Sequence, residues 1–283
     1  MKKITTPILF ATACFLFLLW LGTATPALAQ TTKPVLPLLC GTAELAPAQR
    51  QALEAEAAFA LKTKRATQGK ATVITYVPIR PHIIRRANGT GGYDMSSLNN
   101  VMALTNKYYL KNGLGIQIYF AGTSPDYVDN DALFAQFIKN TDEATVASRN
   151  VTNAMNQYYV QRFSNGIGGY AKFPDNNSVN ATQSFILDEG DDVDMGSRLV
   201  PHELGHNSNL IHTYEPALGY ELVTRGAGAN RATAGDLVCD TPAEPYGRFT
   251  GADPNCVSGC PATYTCGFTE PGTGAVYAPS PTN

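Results

Sequence analysis

"HELGHNSNLIH", residues 202–212, holds three of the four histidines in a chain of 283 residues. His202 and His206 are four apart, so a helix puts both imidazoles on one face, where they can bind one ion. Glu203 lies one residue round from His202, near enough to reach a metal-held water without being a ligand. His212 would sit about 15 Å beyond His202 on an unbroken helix. It reaches the same ion only if the helix stops and the chain folds back. A fold-back needs a residue that tolerates positive φ, and asparagine is second only to glycine there. Asn209 stands where the stop is required. Pro201 confines the helix start to the preceding turn, with Ser197 as the expected N-cap.

Three neutral imidazoles leave a zinc ion dipositive with one open position, and water there falls to a pKa of about 7. Glu203 can take that proton as general base and pass it to the leaving amine of a cleaved peptide. His202, His206 and His212 are therefore the candidate ligands, and Glu203 is the candidate catalytic residue.

The flanking sequence bounds the rest. Hydrophobic residues make up 44% and charged residues 16%, with a formal charge of -2. This is ordinary globular composition without a basic run for nucleic acid. The "MKK" start, the apolar run to Gly22 and "ALA" at 27–29 read as a secretory signal peptide. The apolar run is shorter than the roughly 20 residues a spanning helix needs, so no stable membrane association is expected after cleavage. Export makes thiol pairing the default. Cys40, Cys239, Cys256, Cys260 and Cys266 then remain, an odd number.

"ATVITYVPIRPHII" (71–84) is β-branched and reads as a strand, followed by turn chemistry at 85–92. "MSSLNNVMALTNKYYLKNG" (95–113) reads as a helix and "LGIQIYFAG" (114–122) as a strand. Residues 130–163 read as one or two helices interrupted by polar residues. "GIGGYAKFP" (166–174) and "TQSFILD" (182–188) read as strands, and 46–66 as an Ala/Glu/Leu-rich helix. This order predicts an α/β (α+β) fold with a mixed twisted sheet, the histidine helix and an irregular C-terminal part. His82, in a strand-like run, reads as structural.

The histidine stretch resembles the metzincin signature H-E-x-x-H-x-x-G-x-x-H, with Asn209 in the glycine place. With "HTYE" (212–215), "GDLVCDTPAEPYG" (235–247), "VPIRPHIIRRANGTGG" and "GIGGYAKFP", it resembles the pappalysin family over about residues 71–283. That family includes pregnancy-associated plasma protein and secreted bacterial relatives. The resemblance implies a secreted zinc metalloendopeptidase made as a zymogen. It implies that a protein or peptide substrate pairs as an extra strand with "GIGGYAKFP". "CGT" at 40–42 resembles the family's propeptide cysteine, so Cys40 would be a cysteine switch on the zinc. Cys239, Cys256, Cys260 and Cys266 would then form two disulfides, in any of three pairings. Calcium is a second candidate ion, with Asp236, Asp240 and Thr241 as candidate ligands; the acidic run at 188–194 reads as a solvated loop. The expected domains are a signal peptide (1–29), a propeptide (30–65, cut near Arg65–Ala66) and a catalytic domain (66–283). The family's methionine turn lies beyond the third histidine, and none of the five methionines does. The catalytic domain is therefore expected to be C-terminally incomplete. The alternative function is an exported zinc-binding or adhesive protein impaired in catalysis.

Overall fold

The computed structural model describes residues 40–43, 49–51, 53, 55, 73–174, 179–213, 218–219, 221–222, 227–238, 268–269 and 276–277. The chain divides into two compact units, 1–32 and 33–283, and all described residues lie in the second. The expected signal peptide, most of the expected helix at 46–66, and Cys239, Asp240, Thr241, Cys256, Cys260 and Cys266 lie outside the described residues. Among the described residues, no helix is long and apolar enough to cross a membrane.

A six-stranded, mainly parallel sheet carries the fold. Strand β1 (Thr75–Arg85) is its spine. Strands β2 (Ile116–Phe120) and β3 (Asp126–Asp129) pair with it in parallel, one after the other. Strand β4 (Met155–Val160) also pairs with β1, followed by β6 (Gln183–Leu187), both parallel. Strand β5 (Gly169–Ala171) closes the far edge antiparallel to β6. The mixed α/β architecture expected from the sequence is therefore present.

Two prolines inside the central strand look at first like an error, because proline cannot donate to a ladder. Backbone direction resolves this. In parallel pairing, successive N–H groups point to alternate neighbours. Thr75 N–H donates to Gly115 and Ile79 C=O accepts from Ala121, so odd-numbered residues face β2. Pro78 then faces β4, whose pairing starts only at Ile79–Met155. Pro81 faces the gap between the Ile79–Phe120 pair of β2 and the His82–Asp126 pair of β3. Neither proline removes a ladder bond.

Strands β3 and β4 fall where residues 126–129 and 155–160 were not expected to be strands. The region read as helical contains only the short helices α2 (Asp131–Ala135) and α3 (Glu143–Val146) and a 3-10 turn. β4 gives no alternating signal because it is covered on both faces: Asn156 to Val160 are all buried. Its polar members are satisfied inside. The Asn156 amide bonds both backbone groups of Val151, and Gln157 bonds Tyr159 Oη and Ser184 Oγ.

One face of the sheet packs on helix α1 (Met95–Lys111), capped by Asp94, whose side chain accepts from the amides of Ser96 and Ser97. Leu98, Val101 and Met102 meet Ile79, Ile83 and Tyr159 there. Each such side chain, fully buried, is worth about 1.5–3 kcal/mol. The other face buries Phe137, Tyr158, Phe163, Tyr170 and Phe185. On it His82, Tyr158, Phe185 and Tyr170, directly paired across β1, β4, β6 and β5, stack in one ladder with centroids 4.3, 4.9 and 4.8 Å apart.

His82 is structural, as its strand context predicts. It is fully buried, with Nδ1 2.8 Å from Asp126 Oδ2 and Nε2 3.1 Å from Asn156 Oδ1. Burial pulls its pKa down, while the Asp126 carboxylate and the Asn156 carbonyl oppose the shift. Asp126 also holds Arg149. Replacing His82 by alanine removes the stack and leaves two polar partners facing a void. The expected cost is roughly 3 kcal/mol, read as a lower urea midpoint with an unchanged m-value.

Candidate metal centre

The helical stretch that carries the histidines begins earlier than Ser197. A first turn, α4 (Asp192–Asp194), is capped by Asp191, whose Oδ1 accepts from Asp194 N–H. A π turn at Met195–Leu199 follows, and helix α5 (Val200–His206) continues from it. The correction has a physical reason. An α-turn before Pro201 would set the ring against the carbonyl four residues back. The wider π turn relieves this, and Val200 N–H reaches back to Met195 C=O. Ser197 instead donates its hydroxyl to Val193 C=O at 2.6 Å. The acidic run thus does capping work, and Asp192 also accepts from Asn100.

Gly196 lets α1 approach the π turn, since a Cβ there would sit 2.8 Å from Val101 C=O. Thr105 Oγ1 donates to Gly196 C=O at 3.1 Å, fixing that contact. At the other end Asn207 caps α5, and its side-chain amide donates to Lys172 C=O and Gln183 C=O at 2.9 and 3.0 Å. The histidine helix is therefore tied to both β5 and β6.

The chain then reverses at Asn209, with φ of 65°. The turn does two things. It returns His212 to the helix, 5.3 Å from His202 and 4.6 Å from His206 between ring centroids. It also aims Leu210 C=O at His206 Nδ1, 2.7 Å away. A carbonyl only accepts, so Nδ1 carries the proton and Nε2 presents its lone pair. That Nε2 lies 3.1 Å from His202 Nε2 and 3.5 Å from Cys40 Sγ.

One ligand atom from each of Cys40, His202, His206 and His212 lies within 4.8 Å of all the others. The group could hold a metal ion. Burial keeps the imidazoles neutral, as ligation requires. It lowers His202 to about 4, although an edge of that ring stays exposed, with repulsion from His206 adding to the effect. It lowers His212 to about 3 and His206 in the same direction. Burial first, then the Glu203 carboxylate, pushes the Cys40 thiol up to about 12. Phe173 meets His206 edge-on at 5.4 Å.

Glu203 is fully buried beside the cluster, its pKa raised to about 8 by burial. Oε2 accepts from Thr42 Oγ1 at 3.4 Å, and among the described residues Oε1 has no hydrogen-bond partner. Gly169 makes room for it: a Cβ there would lie 2.9 Å from Oε1. The whole "CGT" segment engages the site. Gly41 N–H donates to Gly169 C=O at 2.8 Å, and Ala171 N–H donates to Thr42 Oγ1 at 3.0 Å. Lys139 Nζ donates to Gly41 C=O.

Asp236 lies apart from this cluster, buried, with Oδ1 accepting from Val238 N–H. Sequence reasoning missed Asn207, Gly169 and Lys139. "GIGG" carried a signal for Gly169; a lone Lys or Asn carries none.

No protein-family model matches this chain, and no curated protein matches it. Among solved structures, a Tannerella forsythia promirolysin mutant is similar at 15% identity and a TM-score of 0.46, over 73% of this chain and 76% of that one. A chain of a chaperone–substrate complex is similar at 17% identity and a TM-score of 0.36, over 60% of this chain and 32% of that one.

The reversal is testable through backbone chemistry alone. Asn209→Gly is expected to keep metal binding. Asn209→Val forces a β-branched residue into the left-handed region at about 1–2 kcal/mol. Equilibrium dialysis with a divalent transition metal should then show an affinity lowered by about tenfold in the valine variant alone.

Proposed function

We propose that this chain is a zinc-dependent metalloendopeptidase, exported behind a signal peptide at residues 1–29 and made latent by its own N-terminal segment. The observation that carries the reading is the convergence of three neutral imidazoles and one sulfur on a single point, beside a buried carboxylate. The spacing suits zinc. Tetrahedral Zn–N and Zn–S bonds of about 2.05 and 2.3 Å put N···N near 3.3 Å and N···S near 3.6 Å, against 3.1 and 3.5 Å here. Imidazole and thiolate are also the ligand types zinc prefers.

His202, His206 and His212 would hold the ion, and Cys40 would fill the fourth position in the latent form. When bound, zinc supplies Lewis-acid chemistry, polarising a peptide carbonyl and acidifying water. The chain's own residues do the rest. Leu210 C=O holds the His206 ring in its ligating tautomer. Glu203, whose carboxylate form a bound cation would favour, is poised to accept and return a proton. Thr42 sits on that carboxylate while the segment is in place. The edge of β5 that Gly41 and Thr42 now occupy is where an extended protein substrate would pair. Cutting near Arg65–Ala66 would let the segment leave. The cysteines beyond 238 as two disulfides, and calcium near Asp236, belong to the same reading.

Zinc analysis and casein cleavage test it on the full chain, intact or nicked at residues 62–65. The expected result is one zinc per chain in wild type and Glu203→Ala alike, with cleavage only in wild type and stronger after nicking. Removing the base should cost about 10²–10⁴ in rate. Zinc without cleavage in any form would favour the adhesive or zinc-binding alternative; no bound zinc would end both readings. A separate expectation concerns latency. Cys40→Ala should raise the activity of the un-nicked chain towards the nicked level, and equal rates would remove Cys40 from that role.

A further inference from the structure

Lys139 follows Phe137, which packs in the aromatic layer on the sheet face opposite α5. From there its side chain comes over the β5 edge. Its ammonium lies 5.1 Å from the centre of the Tyr170 ring and donates to Gly41 C=O. Tyr170 is itself held, with Oη donating to buried Glu143 at 2.6 Å. Stacking on Phe185 fixes the same ring at 4.8 Å. The ammonium is thus carried on a rigid platform at the rim of the cleft. Among the described residues it has no ion-pair partner.

Among the described residues its hydrogen-bond acceptor belongs to the segment that fills the cleft. That acceptor is a backbone carbonyl, which carries no net charge. Glycine offers no side chain there, and a Cβ would meet Ile167 Cδ1, the end of a side chain that can turn aside, at 2.4 Å. Among the described residues this half-buried ammonium bonds a carbonyl, and the carboxylate whose charge it feels is that of Glu203 inside the cleft. Hydrogen bonds between ionised partners are roughly twice as strong as neutral ones. When the segment leaves, Lys139 loses even that partner and faces whatever polypeptide lies along β5.

We propose that Lys139 is a specificity-determining residue that takes an acidic side chain of a polypeptide bound along β5. This rests on reading the cleft as a peptide-binding protease site. It also explains why the latency segment carries glycine there: a weakly held occupant yields to a chain that offers a carboxylate.

Binding separates this from catalysis. The full chain with Glu203→Gln, nicked at residues 62–65, is titrated with fluorescent peptides that differ only in one Glu, Gln or Lys, moved through successive positions. Anisotropy is expected to show one position where Glu binds about tenfold or more tightly than Gln, as for hydrogen bonds to charged groups. Lys139→Met should erase that preference, Lys139→Glu should reverse it in favour of Lys, and Lys139→Arg should keep it and report intact folding. No Glu preference at any position, or one that survives in Lys139→Met, overturns the assignment. A Glu preference without casein cleavage would sustain the subsite and sink the protease reading. Cleavage without a Glu preference would do the reverse.

Discussion

A buried imidazole nitrogen that carries no proton can only accept or ligate, so whatever stands against it must supply a proton or a cation. His206 Nε2, with its other nitrogen committed to Leu210 C=O, faces His202 Nε2 and Cys40 Sγ at little more than contact distance. That arrangement is what the surrounding structure is built to hold. The π turn lets the helix pass Pro201, Asn207 ties its end to two strands, and Asn209 reverses the chain. Each device is weak alone. Together they fix three rings from eleven consecutive residues around one point.

Electrostatics sharpen the picture. Burial holds the imidazoles neutral and lifts both Glu203 and Cys40 above their ordinary values. A cation placed among them would invert that logic, since it favours thiolate and carboxylate alike. Burial alone favours the protonated, neutral form of both groups. The cost is desolvation of Glu203, which raises its proton affinity.

The histidine cluster was legible in the sequence because helical spacing and a turn-former are local signals. The positive φ at Asn209 follows from the need to bring His212 back, and the structure has it. Strands β1, β2, β5 and β6 were legible from β-branched runs. β4 was not, because burial on both faces erases alternation, and polar Asn156 and Gln157 disguise it further. The helix start was misplaced because a π turn has no sequence period of its own. Lys139 could not be found locally: it meets Gly41 across a separation of 98 residues.

The stacked rings of His82, Tyr158, Phe185 and Tyr170 have a consequence for the rim. β5 has only three residues paired in the sheet, too few to specify alignment by backbone bonds alone. A slip by one residue would send every side chain of β5 to the opposite face. Tyr170 would leave the stack, and its hydroxyl would leave buried Glu143. The ladder therefore works as a ruler laid across four strands, with its zero at buried His82 and its last mark at the cleft. Alignment of the short edge strand, and with it the position of every backbone group a bound polypeptide would meet, is inherited from the deepest strand of the fold.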